Sequence, residues 1–184
     1  MTTAFRAIAF RALAALAVGV TLALPSGARA QSVEEVRLAV QAHNPEFISA
    51  DEEGGANIGA EVLTASPAWL DWAFSPRPTA GVSINTRGDT SAAFAGLTWD
   101  VDIAGPVFVS LFLGGGVHNG ERDSNEPDKR NLGCRALFRE SLEIGWRLGN
   151  GDAVALALDH MSNAGLCDEN DGVENLGLKY HLKF

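Results

Sequence analysis

The stretch DAVALALDHMSNAGLCDENDGVENLGLKYHLKF, residues 152–184, alternates with a period of two on both sides of a polar centre. In its first arm Val154, Leu156 and Leu158 fall on one face, and Ala153, Ala155, Ala157 and Asp159 on the other. In its second arm Leu176, Leu178, Tyr180, Leu182 and Phe184 stand opposite Lys179, His181 and Lys183. Side chains on a strand point to alternate faces, so this is the period of β-strands and not of a helix. The Asn-, Asp- and Gly-rich insert at 163–171 is turn chemistry, which makes the two arms an antiparallel hairpin.

Working back from this hairpin, the same period recurs. One segment carries Val36, Leu38, Val40 and Ala42 on one face and Glu35, Arg37 and Gln41 on the other; more follow near 55–64, 78–86, 90–103, 106–118 and 134–148, making eight with the last two near 152–163 and 173–184. A soluble β-sandwich also alternates, but four features favour an eight-stranded antiparallel outer-membrane β-barrel. Several segments have the roughly 9–11 residues of a tilted membrane strand, and the face opposite the apolar one is charged, as barrel interiors are. The connections DIAGP and LGNGD are tight, whereas HNPEFISADEEGG and HNGERDSNEPDKRNLG are long and polar, as periplasmic turns and extracellular loops are. The chain also ends on an aromatic residue closing an apolar alternation, similar to the terminal signal of bacterial barrels.

Eight strands enclose side chains and not a channel. Glu35, Arg37, Glu61, Asp100, Asp102, Arg135, Arg139, Glu143 and Arg147 are therefore expected to form a paired interior network, since lone buried charges are costly. His118 and His181 are expected to join it, with His43 in a loop. TASPAWLDWAFSPRP, within 64–78, is too long for a simple turn, and its Trp69, Trp72 and Phe74 fit an interfacial aromatic girdle.

Residues 1–30 combine Arg6 and Arg11, an apolar run and Ala28-Arg29-Ala30, the parts of a cleaved secretory signal. Its removal leaves residues 31–184 as one barrel domain and takes the formal charge from −9 to −12, because it carries three arginines and no acid. So acidic a chain argues against nucleic acid as a partner. After residue 30 no stretch approaches the ~18 apolar residues of a helical span.

Parity places His160 and Ser162 on the outward row of Val154, Leu156 and Leu158, and Glu174 on the row of Leu176 and Leu178. In a hairpin turning through 163–171 Glu174 lies across from His160, where opposed Cβ atoms are about 4.5–5.5 Å apart. A serine, a base and an acid that orients the base are the parts of a nucleophilic triad. Three polar groups aimed at lipid are costly unless paired; a triad accounts for all three at once, and wetting by headgroups at the rim is the lesser alternative. With both termini periplasmic, the site faces the outer leaflet.

At HMSNAGLCDENDGVE the sequence resembles the lipid A 3-O-deacylase family of outer-membrane esterases, through His160, Ser162, Asn163, Gly165, Asn170 and Glu174. Looser similarity runs through NTRGDTSAAFAGLTWDVDIAGPVFVSLFLGGGVHNG and RALFRESLEIGWRLG. The resemblance implies Ser162 as nucleophile, His160 as general base and Glu174 as the acid holding its tautomer. It implies Asn170 and the Gly165 N–H as oxyanion donors, with Asn163 in support; for the two asparagines ordinary turn chemistry stands equally open. The implied substrate is the 3-O-linked acyl chain of lipid A in lipopolysaccharide, in contact with outer-membrane lipids and with no cofactor. A homodimer through the lipid-facing wall is open by analogy. The competing function is a non-enzymatic barrel serving adhesion or envelope integrity, followed by a soluble periplasmic binding sandwich.

Cys134 and Cys167 form an even pair in an exported chain, and the turn register brings them together, so a disulfide bracing the 163–171 loop is expected. Glu140 shares a row with Phe138, Leu142, Ile144 and Trp146. A β-bulge that re-aims it is the favoured reading, ahead of a headgroup contact or a second acid beside His160. Asp168, Glu169 and Asp171 read as a solvated loop. No complete metal site, phosphate loop or dinucleotide fingerprint occurs in the sequence.

Overall fold

A computed structural model describes residues 32–48 and 53–184; the signal expected at 1–30 lies outside them. The alternating segments form eight strands: β1 (Val33–His43), β2 (Ala56–Thr64), β3 (Arg77–Asn85), β4 (Ala92–Ala104), β5 (Val107–His118), β6 (Ala136–Arg147), β7 (Ala153–Ser162) and β8 (Val173–Lys183). Each pairs antiparallel with its sequence neighbours, and β8 returns to β1, closing a barrel in strand order. Closure leaves no unpaired strand edge, which is what a sheet in hydrocarbon requires. Among the described residues no helix is long and apolar enough to cross a membrane.

The barrel wall is inverted relative to a soluble protein. Val40, Ile58, Ile84, Leu142, Ile144, Trp146, Leu156 and Leu178 are exposed on its outside, while Glu35, Arg37, Glu61, Glu143, Asp159, Lys179 and His181 are buried within. This is the distribution of a transmembrane β-barrel. Arg37 bridges Glu35 (2.6 Å), Asp100 (2.9 Å) and Glu143 (3.3 Å). Lys179 bridges Glu61 (2.8 Å) and Glu143 (2.9 Å), and Arg139 reaches Asp159 (2.8 Å). The Arg139 guanidinium also lies 3.7 Å from the centroid of the Phe94 ring. Each buried charge thus meets opposite charge or a ring face, which offsets the several kcal/mol that desolvating it costs.

Several expectations need correction. Asp102 and Arg147 pair at 2.6 Å, but at the barrel's end, where Asp102 is 68% exposed. Arg135 lies outside the strands and is exposed, donating to the carbonyls of His118 (3.0 Å) and Gly120 (2.9 Å). The lumen instead recruits Arg77, which bonds Glu35 and Asp100. His118 is buried but bonds the Cys134 carbonyl at 2.7 Å and not the ionic network; His181 does join it, against Glu143 and Glu35. His43 is no loop residue. It ends β1, points inward and contacts Asn175 (2.8 Å) and Glu53 (3.0 Å).

Val33 and Phe184 lie at one end of the barrel, here the near end. The tight turns after β4 and β6 are there, with the 64–78 stretch, which folds into a 3₁₀ helix at Ala68–Ala73. Trp69, Trp72 and Phe74 are exposed on it, and Trp99 anchors it through Nε1 to the Ala73 carbonyl at 2.8 Å. The long connections between β1 and β2, β5 and β6, and β7 and β8 lie at the opposite, far end.

Candidate active site at the far rim of the barrel

The β7–β8 ladder pairs Leu156 with Leu178, Leu158 with Leu176 and His160 with Glu174. This register follows from two alternating strands whose apolar rows must both face outward, since a one-residue slip would turn each row into the lumen. His160 Nδ1 lies 3.0 Å from Glu174 Oε1, with the imidazole 45% and the carboxylate 18% exposed. Ser162 ends β7 two residues further along the same outward row and is half-buried. The Glu174 contact engages Nδ1 and leaves Nε2 as the nitrogen that can receive a proton. Among the described residues, no hydrogen bond joins Ser162 to His160.

On the other flank β6 pairs Glu140 with His160 and Phe138 with Ser162. The ladders from β6 to β5 and β7 run without a register shift, so the expected bulge at Glu140 is absent and this carboxylate projects from the outer wall beside the imidazole. Among the described residues only Glu174 is hydrogen-bonded to His160.

Glu174 is held in turn by a residue just past the end of β1. Asn44, buried and at φ 42°, donates its N–H to the Glu174 carbonyl (2.7 Å), and its Oδ1 accepts from the Glu174 N–H (2.9 Å). Asparagine tolerates the left-handed conformation better than most residues, and the turn-forming Asn-Pro pair at 44–45 is the one local signal that marks it. Just inside, His43, Asn57 and Asn175 join β1, β2 and β8 through buried hydrogen bonds. Burial alone would raise the Glu53 carboxyl, but hydrogen bonds from His43 and Thr90 hold it below the ordinary carboxylate range.

The loop after Ser162 turns through Ala164 (φ 54°) and Gly165 (φ 76°), with Leu166 N–H donating to the Asn163 carbonyl at 3.1 Å. Two central residues at positive φ mark a type I′ turn. Gly165 is exposed, and its N–H has no acceptor among the described residues. Asn170 accepts from Asn163 N–H through Oδ1 (2.8 Å), which leaves its amide nitrogen as the donor. Asn163 is buried, with Nδ2 donating to the carbonyls of Leu132 (3.0 Å) and Glu169 (2.5 Å). These bonds make it a brace of the loop.

The β5–β6 connection fixes this loop from the side. Asp171 N–H donates to the Asn131 carbonyl (3.1 Å), Asn131 N–H returns to Asp171 Oδ2 (2.6 Å), and Arg130 donates to the Asp171 carbonyl (2.9 Å). A disulfide joins Cys134 to Cys167, with Cα atoms 5.8 Å apart. Among the described residues no group of three or more His, Cys, Asp or Glu is placed to hold a metal ion.

A family model described as lipid A 3-O-deacylase (PagL) matches residues 54–183. The lipid A deacylase PagL of Pseudomonas aeruginosa is 32% identical over 75 residues, a match spanning 41% of each chain. The crystal structure of the outer membrane enzyme PagL superposes with a TM-score of 0.60 at 21% identity, covering 82% of this chain and 99% of that one. The structural likeness speaks for the barrel alone, whereas the family match takes in β2 to β8 with His160, Ser162 and Glu174 among them, and on that ground the chain belongs to the lipid A 3-O-deacylase (PagL) family.

Proposed function

We propose that this protein is an outer-membrane serine esterase that hydrolyses the 3-O-linked acyl chain of lipid A, with Ser162, His160 and Glu174 as its triad. The observation that carries the reading is the 3.0 Å contact between His160 Nδ1 and Glu174 Oε1 beside Ser162, on a wall whose neighbouring rows are apolar apart from Glu140. Residues 1–30 serve as the export signal, and with both chain ends periplasmic the far rim lies at the outer leaflet, where lipopolysaccharide resides.

The chemistry follows from the placement. Ser162 Oγ attacks the ester carbonyl as His160 Nε2 takes its proton, and Glu174 holds the Nδ1–H tautomer and steadies the imidazolium. The oxyanion that forms is met by the Gly165 N–H and the Asn170 amide; a donor so aimed contributes ~2.7–4 kcal/mol. The imidazolium then protonates the departing sugar oxygen, leaving an acyl-serine. Water, deprotonated by His160, releases the fatty acid and restores Ser162. Leu156 and Leu158, in line with His160, offer apolar surface along which the acyl chain lies.

Mass spectrometry of lipid A incubated with wild-type protein and with folded Ser162→Ala tests this. The wild type is expected to remove one ester-linked chain from the 3 position, and the variant to be slower by roughly three orders of magnitude or more. Equal acyl loss in both removes Ser162 from the mechanism, and loss in neither removes the esterase.

A further inference from the structure

At the far end two arginines line one cavity. Arg122, in the β5–β6 connection, and Arg135 line a space of about 490 Å³ with Glu121, Asp123 and Gly133. Arg37, Arg77, Arg139, Arg147, Lys129 and Lys179 all form ion pairs. Among the described residues Arg122 and Arg135 form none. Two arginines outside any ion pair, beside two carboxylates that are likewise outside one among the described residues, make a lining that offers both anion and hydroxyl contacts.

The cavity is built and not a chance gap between mobile side chains. Leu132 and Gly133 N–H groups bond the carbonyls of Glu121 (3.1 Å) and Arg122 (2.8 Å), fixing the two sides of the connection to each other. Arg135 is steered by its bonds to the His118 and Gly120 carbonyls. Gly133 is also the wall shared with the active-site loop: a Cβ there would stand 2.9 Å from both Asn163 Nδ2 and Cys167 Cβ, so only glycine lets the two segments meet. Arg135 lies just before β6, three residues from Phe138, the ladder partner of Ser162, so its backbone is within about 10 Å of Phe138 at the rise of a strand.

We propose that this cavity is a phosphosugar subsite of the esterase: Arg122 and Arg135 take a phosphate monoester on the substrate headgroup, while Glu121 and Asp123 accept hydrogen bonds from its sugar hydroxyls. The guanidinium fork matches phosphate oxygens in geometry and charge. A phosphorylated sugar supplies both halves, where inorganic phosphate would leave the carboxylates facing an anion. The proposal rests on the esterase reading, because the distance to Ser162 makes sense only if headgroup and scissile ester belong to one molecule.

The test compares lipid A carrying its phosphates with the same lipid A after phosphatase treatment, in detergent. Wild-type protein is expected to show a KM about tenfold lower for the phosphorylated lipid, the worth of one charge-assisted contact. This preference falls close to one in Arg122→Ala, is intermediate in Arg122→Lys, and is retained in Arg87→Ala, a far-end arginine that does not line the cavity. Heat-modifiable gel migration verifies that each barrel is folded. Millimolar inorganic phosphate should weaken only the preference for phosphorylated lipid; an inorganic-phosphate effect without any such preference assigns the cavity to free phosphate and overturns the proposal. The same comparison is made by direct binding to Ser162→Ala with and without Arg122→Ala. If the wild type hydrolyses neither lipid, the esterase reading fails, while the binding arm still reports on the subsite. Equal affinity for the two lipids, or a preference that survives Arg122→Ala, sinks it.

Discussion

Asn44 and Glu174 are 130 positions apart in sequence yet exchange two hydrogen bonds, and this separates what was readable in the chain from what was not. His160, Ser162 and Glu174 could be placed on one outer row because strand parity fixes the side and the hairpin fixes the partner. No such arithmetic reaches Asn44, which lies past the end of β1 and before residue 54, where the family match begins. His43 reads as a loop residue because the visible alternation stops at Ala42, one residue short of the end of β1. Asn44→Ala removes the acceptor for Glu174 N–H and puts alanine at φ 42°, so it should lower stability by about 1–2 kcal/mol. On the proposed mechanism, loosening Glu174 should lower kcat for lipid A with KM little changed, and Asn44→Asp, which keeps the oxygen, should recover most of the loss. Steady-state kinetics of fatty-acid release decide it; a fall in stability alone would make Asn44 structural only.

Among the elements, β6 and the 163–172 loop behave differently from each other. Glu140 interrupts an apolar row, and a lone anomaly in a pattern reads as a bulge. The ladder is regular, however, because a carboxylate on the outer wall costs little near the interface. The 3₁₀ helix at Ala68–Ala73 went unread because six residues are too few to display a helical period. The 163–172 loop has little apolar burial of its own and borrows order from Asn131, Gly133 and the Cys134–Cys167 bond. Replacing both cysteines by serine should therefore leave the barrel closed and its gel migration heat-modifiable. The loop between Ser162 and Val173 should become open to protease, and activity should be lost at a lower temperature than in the wild type. Limited proteolysis followed by mass mapping checks this; uncut loops in the variant would show that the hydrogen bonds suffice.

For the molecule as a whole, parity assigns a charge to the lumen or to the wall but says nothing of depth along the axis. That is why Glu35, Arg37, Glu61, Asp100, Arg139 and Glu143 were correctly placed inside, while Asp102 and Arg147 meet at the near end and Arg135 lies beyond the ladder. The interior holds by mutual neutralisation, with Lys179 between Glu61 and Glu143 and 3.6 Å from Asp159. Lys179→Ala leaves buried carboxylates short of a cation, and its cost should be ~3–5 kcal/mol, read as a lower temperature for the shift between compact and extended gel forms. An unchanged temperature would mean that water enters the lumen to replace the ammonium. The wild-type cylinder is stoppered from within by its own ion pairs, so current should not flow through it in a voltage-clamped bilayer. A cell can therefore populate its envelope with many copies and keep its osmotic and antibiotic barrier sealed.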